Sequence, residues 1–311
     1  IEQQADLFTT ELVLDDDPQL YGPDGEFKTT IRGTRDKHLL WQKERLINIT
    51  ANRILENYDY KYIGWVDSDI LFYNEDWLDK TCTALQENLA VQMFRQCGLF
   101  DRNLKIEHIH PYDGDHPELG CRQEYRSTSS VFTSGMFNTN WLSFIKPIIN
   151  HVGFAWATHR EFFEEFGLED RCIFGDGDTV VASALANKKV HGIDVGKAIG
   201  LHSSTLCADY TRGVQALAKR LDLHPLGFVN NTLYHLQHGD FAGKQYNSRL
   251  GLLSPTNYDP TTHLEVDDNG LYRFTESTPD LLRKNLKKYF NDRQEDAYMN
   301  NYGELEKLLG V

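Results

Sequence analysis

The chain lacks a long uninterrupted apolar run, so no stretch of it reads as a membrane segment or a secretory leader. It also lacks paired cysteines. Cys82, Cys97, Cys121, Cys172 and Cys207 are scattered, odd in number and without a C-x-x-C spacing, which argues against a zinc ribbon and against a disulfide framework. A reduced, cytoplasmic protein is the expectation, and there the sequons at Asn48 and Asn230 are silent. Positive charge is short as well. With 32 Lys and Arg against 46 Asp and Glu, the net charge of −14 disfavours an extended grip on nucleic acid, while a local basic groove stays open. The first residue is Ile1 rather than methionine, so a targeting segment lost before it also stays open.

What is present is enough for a large core. The chain has 311 residues, 40% of them hydrophobic, sufficient for one big α/β domain or two smaller ones. The stretch that carries most information is Tyr62-Ile63-Gly64-Trp65-Val66-Asp67-Ser68-Asp69-Ile70-Leu71-Phe72. An apolar run over 61–66 reads as a buried strand and ends in two carboxylates one residue apart. Charges at the end of a core strand need partners. At the carboxyl edge of a parallel strand, alternation would point both acids the same way, where they could hold a divalent cation and through it a diphosphate. The plainer reading is a polar turn after a strand.

Periodicity predicts the elements around it. Residues 36–57 read as a helix with Leu39, Leu40, Leu46, Ile47, Ala51, Ile54 and Leu55 on one face, and Lys43, Glu44, Arg45 and Asn48 towards the other. Residues 15–35, rich in Asp and Gly, read as loop. Asn74 reads as the cap of a helix to about Glu87, followed by a strand over 89–94. Residues 98–130 gather His108, His110 and His116 in a stretch with little periodicity, read as a loop over an active site or in solvent, with a second metal site as the alternative. A helix from Arg160 closes on Gly167 as its C-terminal cap. Another helix runs from Thr179 to about Asn187 with Asp178 as its cap, behind Gly175 and Gly177, which would let backbone approach a ligand. Residues 203–223 read as helical. Residues 226–239 read as one strand ending in His235 and His238, which are either a metal pair or polar strand-end residues. Thr278-Pro279-Asp280 opens a last helix whose apolar face is Leu281, Leu282, Leu286, Tyr289 and Phe290.

Three of these segments together resemble the GT-A fold of nucleotide-sugar glycosyltransferases, near the polypeptide N-acetylgalactosaminyltransferases and the β-1,4-galactosyltransferases. They are Trp41 to Asn48, similar to the F-N-R-A-x-x-L-N helix; Asp67-Ser68-Asp69, similar to the D-x-D motif; and Gly153 to Phe163 with Phe174 to Asp178, similar to the block that binds acceptor and donor sugar. The chain also resembles a set of bacterial and phage proteins taken to be glycosyltransferases. The matches there are His151 to Ala157, Gly175 to Asp178, His235 to Gly239 with Lys244, Tyr246 and Arg249, and Tyr289 to Asp296. The acid of the G-G-E-N block is matched only loosely, by Asp178 or Asp176, and the strand that would contact the base is cut short at Ile1.

The resemblance implies an α/β fold of GT-A, Rossmann-like type, with a mixed, mainly parallel sheet flanked by helices. It would form a catalytic domain over 1–250 carrying a helical extension over 251–311. It implies a metal-dependent enzyme that moves a sugar from a nucleotide sugar, with UDP the expected nucleotide, to a hydroxyl acceptor. Asp69 with His235 or His238 would hold Mn2+ or Mg2+, with His202 as the rival ligand. Asp67 would meet the ribose, or the metal through water. Lys244 and Arg249 would steady the pyrophosphate. Asp178, and after it Asp176, would serve as general base or hold the acceptor hydroxyl. Trp156 would stack on a sugar face or sit in the core. The acceptor is open between a glycan and a hydroxymethylated base of phage DNA, and a non-catalytic nucleotide-sugar-binding module is the remaining alternative.

Overall fold

The computed structural model describes residues 5–100, 121–127, 149–188, 204–236, 243–245 and 248–293. In chain order the elements are β1 (Thr9–Leu14), β2 (Lys28–Gly33), α1 (Arg35–His38), α2 (Lys43–Asn57), β3 (Tyr62–Val66), β4 (Ile70–Phe72), α3 (Trp77–Ala84), β5 (Asn88–Gln92), β6 (Gln96–Phe100) and β7 (Cys121–Ser127). They continue with β8 (Ile149–His151), β9 (Ala155–His159), α4 (Arg160–Glu165), α5 (Gly177–Ala186), α6 (Ser204–Arg220), β10 (His224–Phe228), β11 (Thr232–His235), α7 (Pro260–His263), β12 (Leu264–Val266), β13 (Tyr272–Phe274) and α8 (Asp280–Arg293). The protein is mixed α/β. Among the described residues no helix is long and apolar enough to cross a membrane.

The chain forms two compact units. The first holds Ile1–Ile63, His159–Asp222 and Tyr246–Phe290, and the second holds Gly64–Thr158, Leu223–Gln245 and Asn291–Val311. Of the extension expected over 251–311, the residues to Phe290 fall in the first unit.

In the first unit β1 and β2 pair in parallel, from Thr9 against Lys28 to Leu14 against Gly33. The sequence places β2 in a loop. It forms because Ile31 has a core to enter and its backbone has β1 to pair with, neither of which local composition reports. The acidic run before it is a turn. Arg35 pairs with Asp15 at 3.1 Å and with Asp17 at 2.5 Å. The expected helix over 36–57 breaks between α1 and α2, where Gln42 donates to the carbonyl of Tyr272 at 2.7 Å and accepts its N–H at 3.2 Å. Glu44, expected on the polar face, is buried. So is Asp170, which accepts from Arg45 (3.2 Å), Asn48 (2.9 Å) and the Tyr272 hydroxyl (2.9 Å), so its charge has three donors. Gly167 ends α4 as expected, at φ 67°, with its N–H on the carbonyl of Phe162. On α8, Leu282, Leu286 and Tyr289 pack into a core with Phe174, Leu253 and Tyr258, while Leu281 is exposed.

The second unit carries two mixed sheets. One has the strand order β10-β5-β9-β3 and the other β4-β11-β6-β7-β8. β3 is the edge strand of its sheet and is only partly buried, with Val66 44% exposed. The backbone bonds from Arg160 N–H to Lys61 O and from Asp67 N–H to Phe154 O advance in opposite directions, so β3 and β9 run antiparallel. The D-x-D acids therefore do not end a strand in a parallel pair. The single strand expected over 226–239 is two strands in different sheets. They are separated at a corner where the buried Asn231 donates to Met93 O at 3.3 Å. β11 then runs between β4, antiparallel, and β6, parallel, with His235 opposite Ile70.

Candidate functional site

That register builds the site. Asp69 immediately precedes β4, and His235 ends β11. The N–H of Leu236 donates to the carbonyl of Asp69 at 2.8 Å, which fixes the two strand ends together. Oδ2 of Asp69 then lies 2.9 Å from Nε2 of His235, with the side chains 12% and 13% exposed.

Asp67 is engaged differently. Its N–H donates to the carbonyl of Phe154 at 2.8 Å, and its Oδ2 accepts the N–H of Phe154 at 3.2 Å. Phe154 sits at φ 77°, in the left-handed region. For an aromatic residue that costs about 1–3 kcal/mol and persists only where the surroundings impose it. Its buried ring stacks on His151, with centroids 3.8 Å apart and planes 5° apart, and lies 5.0 Å from the ring of His235 and 5.6 Å from that of Phe94. Nδ1 of His151 accepts the N–H of Gly153 at 3.0 Å. A neutral His151 thus carries its proton on Nε2, which makes that nitrogen a donor rather than a metal ligand. The backbone of Phe154 gives no sign of itself in the sequence. The only trace is the small residue beside it, Gly153, within His151-Val152-Gly153-Phe154.

Among the described residues no set of three or more His, Cys, Asp or Glu converges as a metal site. As donor types, the carboxylate of Asp69 and the imidazole of His235 would suit a divalent cation that takes its remaining ligands from phosphate and water. The separation of 2.9 Å is that of an ion pair or hydrogen bond between the two side chains. One carboxylate oxygen with one imidazole nitrogen suits Mn2+ better than Mg2+. No protein-family model, curated protein or solved structure matches this chain.

The other expected residues fall in several places. Trp156 is core, 1% exposed, with Nε1 donating to Val152 O at 2.7 Å and its indole stacked against Trp65. It has no face left for a sugar. Lys244 is buried and engaged by neighbouring groups. His202, His238, Tyr246 and the histidines at 108, 110 and 116 lie outside the described residues.

Asp176, Asp178 and Arg249 belong to the first unit. The Arg249 guanidinium donates from Nη2 to Asp176 Oδ1 at 2.5 Å and from Nε to Asp176 Oδ2 at 3.1 Å. It also reaches the Tyr289 hydroxyl at 3.5 Å. This buried fork is committed to a carboxylate, so its Nε–Nη2 edge is taken up by Asp176 rather than presented to the pyrophosphate expected there. Both oxygens of Asp176 are used in turn, which removes it as a free base. Asp176, not Asp178, occupies the cap position of α5, at φ 79°. Asp178 lies in the first turn, half-buried, with Oδ1 accepting the N–H of Thr179 at 2.8 Å.

The glycines beside them serve packing. Gly175 sits at φ 91° under the Arg249 guanidinium. At Gly177 a Cβ would stand 2.5 Å from the carbonyl oxygen of Glu169 and 2.8 Å from the side chain of Glu44. Gly177→Ala should therefore lower stability by about 1–3 kcal/mol in urea unfolding. An unchanged midpoint would mean that the Glu169 backbone gives way.

Proposed function

We propose that the protein is a metal-dependent glycosyltransferase of GT-A type that moves a sugar from a nucleotide sugar, with UDP as the favoured nucleotide, to a hydroxyl acceptor. The observation that carries this reading is the 2.9 Å approach of Asp69 to His235 across two strand ends. The D-x-D motif and the late histidine lie far apart in sequence, and the β4–β11 register joins them.

Asp69 and His235 would hold the cation. Mn2+, when bound, would neutralise charge on the diphosphate leaving group. The chain's own part is positional. The bond from Leu236 to Asp69 fixes the spacing of the two donors, and the buried ring of Phe154 packs on the His235 side. His151, as a donor through Nε2, suits a phosphate oxygen.

A panel of nucleotide sugars, each with and without Mn2+, tests the reading by thermal shift and by release of free nucleotide. At least one UDP-sugar should raise the melting temperature only when Mn2+ is present, by mass action on the folded state, and should be hydrolysed or transferred. No shift and no turnover with any member, under conditions where Mn2+ itself binds, would remove the proposal.

A further inference from the structure

The two acids of Asp67-Ser68-Asp69 face different partners. Asp69 meets an imidazole, whereas Asp67 closes a two-way backbone bond on Phe154. The N–H of Phe154 is accepted by a side-chain carboxylate oxygen, where a regular ladder would supply a backbone carbonyl. The residue held this way brings its ring to two histidines, stacked on His151 and 5.0 Å from His235. The ring is buried, so a change in the backbone of Phe154 cannot be absorbed by solvent.

We propose that Asp67 is a positioning residue. Its carboxylate clamps Phe154 in the left-handed conformation, and Phe154 in turn fixes the orientation of His235 towards Asp69. The backbone part of this stands on the geometry alone, while its consequence for a cation rests on the metal reading above. An orienting group behind a metal ligand typically carries about 10–100-fold in metal affinity.

The test uses the full chain and Mn2+ alone, followed by electron paramagnetic resonance. It adds two readouts that need no metal: hydrogen exchange at the Phe154 amide and the imidazole resonances of His235 at fixed pH. Asp67→Asn keeps an oxygen that can accept the Phe154 N–H, so it should hold Mn2+ within about threefold of the parent and preserve both other signals. Asp67→Ala should weaken Mn2+ by about tenfold or more, speed exchange at Phe154 and move the His235 resonances. Glycine takes φ 77° without strain. In a Phe154→Gly background Asp67→Ala should therefore move the urea midpoint by less than about half of what it does in the parent. That background, with the Asn variant, decides the matter even if Asp67→Ala alone does not fold.

If Asp67→Asn loses Mn2+ as completely as Asp69→Ala does, Asp67 is a ligand and the clamp is overturned. It is also overturned if Asp67→Ala leaves the Phe154 amide and the His235 resonances unchanged. A parent chain that binds no Mn2+ overturns the metal reading alone, and the exchange and imidazole signals then judge the clamp.

Discussion

Asp176→Ala is expected to cost about 3–5 kcal/mol of stability, the largest effect of any single substitution considered. Arg249 is 5% exposed. Burial acts to lower the pKa of its guanidinium, and the charge and hydrogen bonds of Asp176 more than offset this, so the group is held above its ordinary range and stays charged. Removing the carboxylate would strip that buried charge of its bidentate partner, and the Tyr289 hydroxyl at 3.5 Å is no equal replacement. The damage would spread, because Tyr289 is packed against Phe174 and the two residues before α5 both have left-handed backbone. Replacing both partners by leucine should cost much less than either single change, since a buried pair exchanged for apolar groups is often near neutral. Urea unfolding of the two single variants and the double variant measures this. A midpoint for Asp176→Ala within about 0.5 kcal/mol of the parent, with turnover lost, would instead return Asp176 to a catalytic role.

The second large effect is on activity. Asp69→Ala and His235→Ala should each lower metal-dependent kcat/KM by about a thousandfold or more, the scale of the several kcal/mol a bound cation contributes at a developing phosphate charge. Neither should unfold the chain, because both side chains sit at strand ends and the backbone bond between Leu236 and Asp69 survives either change. The double variant should be no worse than the poorer single one. Two ligands of one ion act as a unit, and their losses do not add. Additive losses would mean that the two residues serve separate purposes.

Local patterns carried much of the architecture. α2 and α8 follow from apolar spacing, β3 and β5 from short apolar runs, and the end of α4 from Gly167. Elements that depend on distant partners were not legible. β2 lies in a stretch rich in Asp and Gly and exists because β1 pairs with it. The hairpin of β12 and β13 is three residues a side, too short to show an alternation. The site divides the same way. The D-x-D acids stand out because carboxylates after an apolar strand need a reason. Arg249 looked like an anion binder, and only the fold reveals its bidentate partner. Trp156 has the same composition whether it faces a ligand or Trp65. Phe154 was invisible because a left-handed aromatic has no sequence signature, glycine being the residue that advertises such a position.

Calorimetric titration of Mn2+ into the full chain, with and without UDP, bears most directly on the pairing of Asp69 with His235. The expected result is one ion per chain, bound more tightly once UDP is present and lost in Asp69→Ala. Equal Mn2+ and UDP binding by the parent and by Asp69→Ala would contradict it.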